Sequence, residues 1–371
     1  MTFEKKNWDL FTIQVWEHAH SLYPSLRSGD FAFFKKAISP FHVILPTSVY
    51  KNAKSIIEKI DTFAQSPEQM RHLNQIYKDS PLQSIYLNNK YPASSLLMAY
   101  DFHWSNNQLK LIEVNTNASG YLYSALLTDC WQQNSDEIFK SLIESFREQS
   151  GRDNKFKIAI TDQNISTQKM FFEFLMFRDL FAKQNILAEL CECKDLDKNE
   201  FDFIYNRSTD FYFEENDSQW LQKKYLRNEI RLSPHPKTYL MYADKNRLLD
   251  FTEAKLGPEL LQTCTVTKDN MNDLWDQRKK LFFKPKQSFG GRGVYRGANI
   301  TRNTMNKIVD QNYIAQEYAP PGLLNDWKYD LRFYVYKQKI QHVTARVYQG
   351  QVTGFQVDGS GFAAVSFKQD L

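Results

Sequence analysis

Three oxygen-bearing side chains stand close together early in the chain: Asp101, Glu113 and Asn115. Glu113 and Asn115 are two apart in the apolar run LKLIEVN, so a strand there points both to one face. Asp101 lies in a preceding run that reads as the partner strand, across the polar connection Ser105-Asn106-Asn107. If that connection comprises residues 106–108, Asp101 falls opposite Glu113. A two-residue connection turns them to opposite faces, because a one-residue slip inverts a strand. Two carboxylates and an amide oxygen are hard ligands that suit Mg²⁺ shared with phosphate oxygens and water. Adjacent carboxylates also repel, and a cation relieves that repulsion. The competing explanation is a hairpin with its acids in solvent. Against it, the strand runs on into Thr116-Asn117-Ala118-Ser119-Gly120, a small polar turn.

A second group of residues could face phosphate. Lys284-Pro285-Lys286 precedes Gly290, Gly291 and Gly293, and glycines let a turn present N–H groups to phosphate oxygens. Taken alone, such a stretch is more often a plain hairpin. Lys245, in ADKNRLL at an expected helix start, is a further cation, or else a solvated helix lysine. Gln316-Glu317-Tyr318-Ala319 ends a strand and can offer backbone groups to an adenine edge. Asp330 and Arg332 share a strand face by period two, with Arg346 on the next strand. Two converging guanidinium groups suit a γ-phosphate or an acyl-phosphate. A cross-strand charge ladder on a solvated face is the alternative.

Other chemistries find no support. GxSxG, HExxH, GxGxxG and the GxxxxGK[ST] order are absent. Cys130, Cys191, Cys193 and Cys264 form no CxxC pair, which fits a reduced, cytoplasmic protein. The segment MTFEKKNWDLF lacks the apolar core of a signal peptide, and no apolar run is long enough for a membrane span. A net charge of +4, with basic residues spread among 43 acids, does not indicate a nucleic-acid partner. His103 and His235 read as ordinary polar or half-buried residues.

The elements that must position these groups follow from periodicity. Residues 1–90 read as mostly helical, with a break near Ser66-Pro67. The hairpin spans Ser94 to Asn115, and two helices follow from Ala118 through Phe146. After a polar linker at Gly151 to Lys155, KIAIT, a helical QKMFFEFLMFRDLFAKQN, ILAELCE and FDFIYNR alternate strand and helix. That alternation predicts a small α/β unit with a parallel sheet. From Lys237 onward the pattern is α+β, with strands at KLFFKPK, YIAQEY, DLRFYVY and KIQHVTARVYQ.

Taken in order, these residues resemble the ATP-grasp superfamily. That family carries a helix-borne lysine, a strand lysine before a Gly-rich loop, an adenine hinge, a DxR strand and a later arginine. It then ends on its Mg²⁺ ligands. Here the matching Asp101, Glu113 and Asn115 come first, which resembles the circularly permuted branch that includes eukaryotic-type glutathione synthetase. Ile112-Glu113-Val114-Asn115-Thr116 and the strand IYNR are similar to segments of that enzyme. Two positions depart from it: no glutamate follows Lys284-Pro285, and Met98-Ala99-Tyr100 holds no arginine.

The resemblance implies an α/β (α+β grasp) fold, a circularly permuted ATP-grasp with an inserted small Rossmann-like parallel-sheet domain and a helical N-terminal region. Residues 1–150 would hold the helical region and the metal-binding hairpin, 151–236 the small α/β substrate-binding domain, and 237–371 the nucleotide-binding lobes. It implies ATP and Mg²⁺ as cofactors and a carboxylate–amine ligase acting through an acyl-phosphate. A phosphotransferase on the same fold, or a nucleotide-binding module without turnover, are the alternatives. Asp101, Glu113 and Asn115 would hold metal, and Lys245 and Lys284 the α- and β-phosphates. Gln316, Glu317, Tyr318 and Ala319 would hold adenine, and Arg332 and Arg346 the transferring phosphoryl group. Gly290, Gly291 and Gly293 would form a lid. Arg207, at the end of IYNR, would grip a substrate carboxylate, or else form a structural salt bridge, with Ser119 lining the same cleft. The partners implied are small-molecule carboxylate and amine substrates, and the oligomeric state is left open, a homodimer included.

Overall fold

The tightest local signal in the chain is the Asn106-Asn107 turn. Both residues adopt left-handed conformations, with φ of +51° and +58°, which asparagine tolerates and which two-residue hairpin turns require. The turn joins strand β2 (Met98–Ser105) to strand β3 (Gln108–Asn115). The computed structural model describes residues 4–91, 94–131, 135–286 and 293–369.

The first strand, β1 (Ile38–Pro46), interrupts the region expected to be mostly helical. Its run ISPFHVILP is short and apolar, and it pairs in parallel with β15 (Gly361–Lys368), more than 300 residues away. No local pattern announces such a pairing. The helices around it match expectation: Thr47–Ala64 ends before Ser66, whose side chain caps Pro67–Ile76 by accepting the Gln69 N–H at 3.1 Å.

Three sheets result. Short apolar runs give a four-stranded parallel sheet of β4 (Lys157–Asp162), β5 (Leu187–Glu192), β6 (Phe203–Asn206) and β7 (Leu232–Ser233), in the order β5-β4-β6-β7. A second, antiparallel sheet contains β8 (Thr263–Thr265), β9 (Leu281–Pro285), β10 (Tyr295–Arg296) and β11 (Tyr313–Glu317), in the order β10-β9-β11-β8. The large sheet runs β1-β15-β14-β13-β2-β3, with β12 (Gly322–Leu324) on β13 (Trp327–Tyr336), and β14 (Lys339–Tyr348) beside it.

Alternation along β13 decides where the site lies. Leu331, Phe333 and Val335 enter the core packed by the helix Thr47–Ala64, leaving Asp330, Arg332 and Tyr334 on the opposite face. A second core joins Tyr334 and Phe362 to the helices Tyr121–Cys130 and Phe171–Lys183 and to β4 and β6. The parallel sheet thereby lies on the side of the large sheet that carries the arginines, with helix residues such as Tyr121 and Phe146 packed between them. None of the described helices is long and apolar enough to cross a membrane, and all four cysteines are free thiols.

Candidate active site

Asp101 pairs directly with Glu113 across β2 and β3. The turn has two residues, not three, so a regular ladder would oppose Asp101 to Ile112. A bulge corrects this: pairing jumps from Phe102–Leu111 to Asp101–Glu113, leaving Ile112 without a partner. The bulge also lets Leu111 and Val114, three apart, both be buried while Ile112 and Glu113 between them stay half-exposed. Asn115 completes the cluster, its Nδ2 donating to Asp101 Oδ2 at 2.9 Å and Glu113 Oε1 at 3.4 Å.

Asp101 is 1% exposed and fully engaged. Arg332, its register partner on β13, donates Nε to Oδ1 at 2.8 Å and Nη2 to Oδ2 at 2.7 Å. Arg346 adds Nη2 to Oδ2 at 2.9 Å and spans to Asp330 Oδ1 at 2.6 Å through Nε. Burial works against ionisation of Asp101, but the two arginines outweigh it and hold its carboxyl below the usual value. The DxR strand and Arg346 therefore form a buried network, not the solvated ladder that was the alternative.

Lys284 reaches the same place from β9. Its Nζ donates to the carbonyl of the bulged Ile112 at 2.9 Å and to Gln316 Oε1 at 2.7 Å. Burial pulls this ammonium down to about 8, opposed by Glu113 and reinforced by Lys245. Lys245 is buried in the turn just before the helix Arg247–Glu253, not on the helix itself. Gln316 is 2% exposed, and with its oxygen committed to Lys284 its Nε2 has no protein partner.

The hinge is more occupied than expected. The N–H groups of Glu317 and Tyr318 donate to the carbonyls of Gln262 and Lys280, both at 2.8 Å. The Ala319 carbonyl accepts from His103 Nδ1 at 2.7 Å. Burial lowers the His103 pKa, so the neutral ring with its proton on Nδ1 is the form that makes this bond. His103 is two residues from Asp101 on β2, hence on the same face. That period-two relation was the available signal for a residue that reads from sequence as ordinary.

Gly293 adopts φ +69°, and its carbonyl accepts from Tyr313. Gly290 and Gly291 lie outside the described residues, so the lid expectation concerns a segment of which only Gly293 is placed.

The opposite wall comes from the parallel sheet. β4 is flanked by β5 on one side and β6 on the other, so the connections leaving their carboxyl ends diverge there, where such sheets form ligand crevices. Asp162 ends β4 and Arg207 follows β6, its N–H bonded to the Thr161 carbonyl at 2.7 Å. Arg207 is 8% exposed, hydrogen-bonds Asn117 and lies 5.2 Å from the Tyr205 ring centroid. Among the described residues it forms no ion pair within 4 Å, so the salt-bridge alternative is not what the structure contains, and its Nε has no partner. Burial raises the Asp162 pKa, against the Gln163 N–H and the nearby Arg207 charge. No sequence motif marked Asp162. Only its place at the end of a strand could have.

These walls enclose one cavity of about 700 Å³. It brings together Asp101, Glu113, Asn115, Ser119, Arg207, Lys245, Lys284, Gln316, Glu317, Ala319, Arg332 and Arg346. Tyr318 is not among the lining residues and instead carries Arg296 4.5 Å from its ring centroid. Three buried polar atoms on this lining lack partners: Gln316 Nε2, Arg207 Nε and Thr116 Oγ1. Orphaned donors beside four clustered cations fit an anionic ligand with several acceptors. Among the described residues no group of three or more His, Cys, Asp or Glu could hold a metal by itself. A cation on Asp101, Glu113 and Asn115 therefore needs phosphate oxygens and water to complete its shell, which is how Mg²⁺ is ordinarily held. The donor set fits that ion once the Asn115 amide presents its oxygen.

Comparison with known proteins bears on the same region. Residues 218–355 match the model of the tubulin-tyrosine ligase family. That segment contains Lys245, Lys284, Gln316 to Ala319, Asp330, Arg332 and Arg346, but not Asp101, Glu113 or Asn115. No curated protein matches the chain. Among solved structures, a glutathione synthetase-like effector from Globodera pallida aligns over 99% of this chain and 98% of its own, at 9% identity and TM-score 0.55. A protein described as a gamma-glutamylcysteine synthetase from Methylobacillus flagellatus aligns over 81% and 83%, at 10% identity and TM-score 0.49. The D-cycloserine synthetase DcsG aligns over 44% and 59%, at 14% identity and TM-score 0.34. The likeness to the Globodera pallida effector, which extends over nearly all of both chains, shows a shared mixed α/β fold.

Proposed function

We propose that this protein is an ATP- and Mg²⁺-dependent carboxylate–amine ligase acting through an acyl-phosphate, on a circularly permuted ATP-grasp. The observation that carries the reading is the convergence of Asp101, Glu113 and Asn115 with Lys284, Arg332 and Arg346 in one cavity. The permutation is supported by the matched family segment ending at residue 355, while the acidic cluster lies near residue 100. In this division, residues 1–150 supply the hairpin, 151–236 an inserted Rossmann-like substrate domain and 237–371 the nucleotide lobes.

ATP supplies the phosphoryl group and Mg²⁺ neutralises phosphate charge when both are bound. Asp101, Glu113 and Asn115 hold the metal. Lys245 and Lys284 hold the α- and β-phosphates. Gln316 Nε2, Glu317 and Ala319 bound the adenine side of the cavity. Arg332 and Arg346 stabilise charge on the transferring group without a protein nucleophile. Arg207 grips the substrate carboxylate, Asp162 beside it offers the opposite charge to an amine, and Ser119 lines the cleft between.

The test is ADP release across a panel of carboxylates and amines, with and without hydroxylamine. A ligase of this kind yields a hydroxamate when hydroxylamine replaces the amine. ADP release with a stable phosphorylated product and no hydroxamate would establish a phosphotransferase instead. Nucleotide binding with no ADP release across the panel would make the protein a binding module.

A further inference from the structure

We infer that Glu173 is a positioning residue for Arg332, acting through the single peptide group that joins Ser119 to Gly120. The inference rests on the nucleotide-site reading for its kinetic arm. Glu173 sits in the first turn of the helix Phe171–Lys183 and is 1% exposed. Among the described residues it has no ion pair within 4 Å. Both its oxygens accept the Gly120 N–H at 2.9 Å, and Oε1 also accepts the Leu122 N–H at 3.1 Å.

Those N–H groups open the helix Tyr121–Cys130, so helix capping alone could explain the contact. The capped peptide group has a second end, however. The Ser119 carbonyl lies in the same plane as the Gly120 N–H, and a peptide plane is rigid. That carbonyl accepts from Tyr334 Oη at 2.7 Å and from Arg332 Nη1 at 3.3 Å. Glu173 on one edge and Arg332 on the other thus share one stiff group. Gly120 itself cannot be replaced there: φ is +91°, and a Cβ would lie 1.9 Å from the Phe362 ring.

This arrangement has a direction. The residues just before Glu173, Gln168 to Met170, line the cavity, as does Phe174 beside it. Glu173 therefore belongs to the substrate wall, and Arg332 to the phosphate wall. When Arg332 gives up Asp101 for a phosphate oxygen, its bond to Ser119 is the contact that fixes where the guanidinium stands.

The experiment uses the full chain carrying Glu173→Gln or Glu173→Ala, read by two measurements. The first is the ¹⁵N–¹H signals of the Arg332 Nη groups, of which Nη1 donates to Ser119, recorded at low temperature in arginine-labelled protein and assigned by their loss in Arg332→Lys. In the unmodified protein the Nη1 proton on the Ser119 carbonyl should exchange slowly. In Glu173→Ala it should exchange at least about tenfold faster, and in Glu173→Gln to an intermediate degree, while the Arg247 signal stays where it was. The second is ADP-forming turnover, where Glu173→Gln should lower kcat by about ten- to a hundredfold with KM for ATP within about threefold. An unchanged Arg332 signal in either folded variant overturns the inference, as does a loss confined to KM. If Glu173→Ala does not fold, Glu173→Gln decides alone. If the unmodified protein neither binds nor turns over ATP, the nucleotide reading has failed, and the arginine signal still decides the role of Glu173.

Discussion

Asp101 stands directly opposite Glu113 although the turn between their strands has only two residues. The bulge at Ile112 makes the difference, and it does so twice. It rotates Glu113 onto the face of Asp101, and it frees the Ile112 carbonyl to receive Lys284 at 2.9 Å. One extra residue in β3 thus aligns the acidic side of the site and ties it to the cationic side.

Asp101 and Glu113 respond differently to neutralisation. Asp101 compensates two buried arginines, so Asp101→Asn leaves charge uncompensated and should cost about 3–5 kcal/mol of stability as well as activity. Glu113 is half-exposed and its side chain hydrogen-bonds only Asn115 among these groups, so Glu113→Gln should stay within about 1 kcal/mol of the parent while losing Mg²⁺-dependent turnover. Denaturant titration beside an ADP assay separates the two. Full activity in Glu113→Gln would remove it from the metal set.

Mg²⁺ alone should bind poorly. Both oxygens of Asp101 are held by guanidinium groups, and the ion must compete with them. Phosphates that draw the arginines away release Asp101, so nucleotide and metal should bind with positive linkage. Calorimetry with Mg²⁺ alone should show no saturable heat below millimolar concentration, whereas Mg²⁺ with a non-hydrolysable ATP analogue should bind. Equal Mg²⁺ affinity with and without nucleotide would contradict the arrangement.

Lys284 gives a pH signature with a definite sign. Its pKa of about 8 in the fold lies below the 10.5 of an unburied lysine. The penalty for burying its charge is therefore complete below pH 8 and fades as pH rises towards 10.5. By about 1.4 kcal/mol per unit it amounts to about 3 kcal/mol, so the free protein should gain stability as pH rises from 8 towards 10.5, a gain that Lys284→Met should remove while weakening nucleotide binding. Phosphates raise the lysine pKa again. Nucleotide binding at pH 9 should take up a proton and at pH 6.5 should not, as calorimetry in buffers of different ionisation enthalpy will show. Lys284→Met should abolish the uptake.

The sequence carried much of this through periodicity, and failed where register or distance decided. β2, β3, β4, β5, β6, β9, β11, β13 and β14 are all legible as alternating or short apolar runs. β1 was not, because its partner β15 is distant and parallel, and nothing local distinguishes ISPFHVILP from a buried helical turn. The bulge at Ile112 escaped because LKLIEV reads as a regular strand under either turn length. The oxygen cluster, the lysines and the arginines were legible as types and order. What they are bonded to was not: Asp101 clasped by two arginines, the hinge N–H groups spent on neighbouring strands, and Glu173 buried against Gly120 all depend on packing between segments far apart in the chain.

In the proposed site an early hairpin supplies the metal side, and the cationic side comes later in the chain. The most direct measurement is anomalous diffraction from crystals grown with Mn²⁺ and ADP or a non-hydrolysable ATP analogue. A manganese peak is expected bound by Asp101 and Glu113, with Asn115 adjacent, on phosphates that also contact Lys245, Lys284 and Arg332. A nucleotide bound elsewhere, or a manganese peak that touches neither Asp101 nor Glu113, would contradict this arrangement.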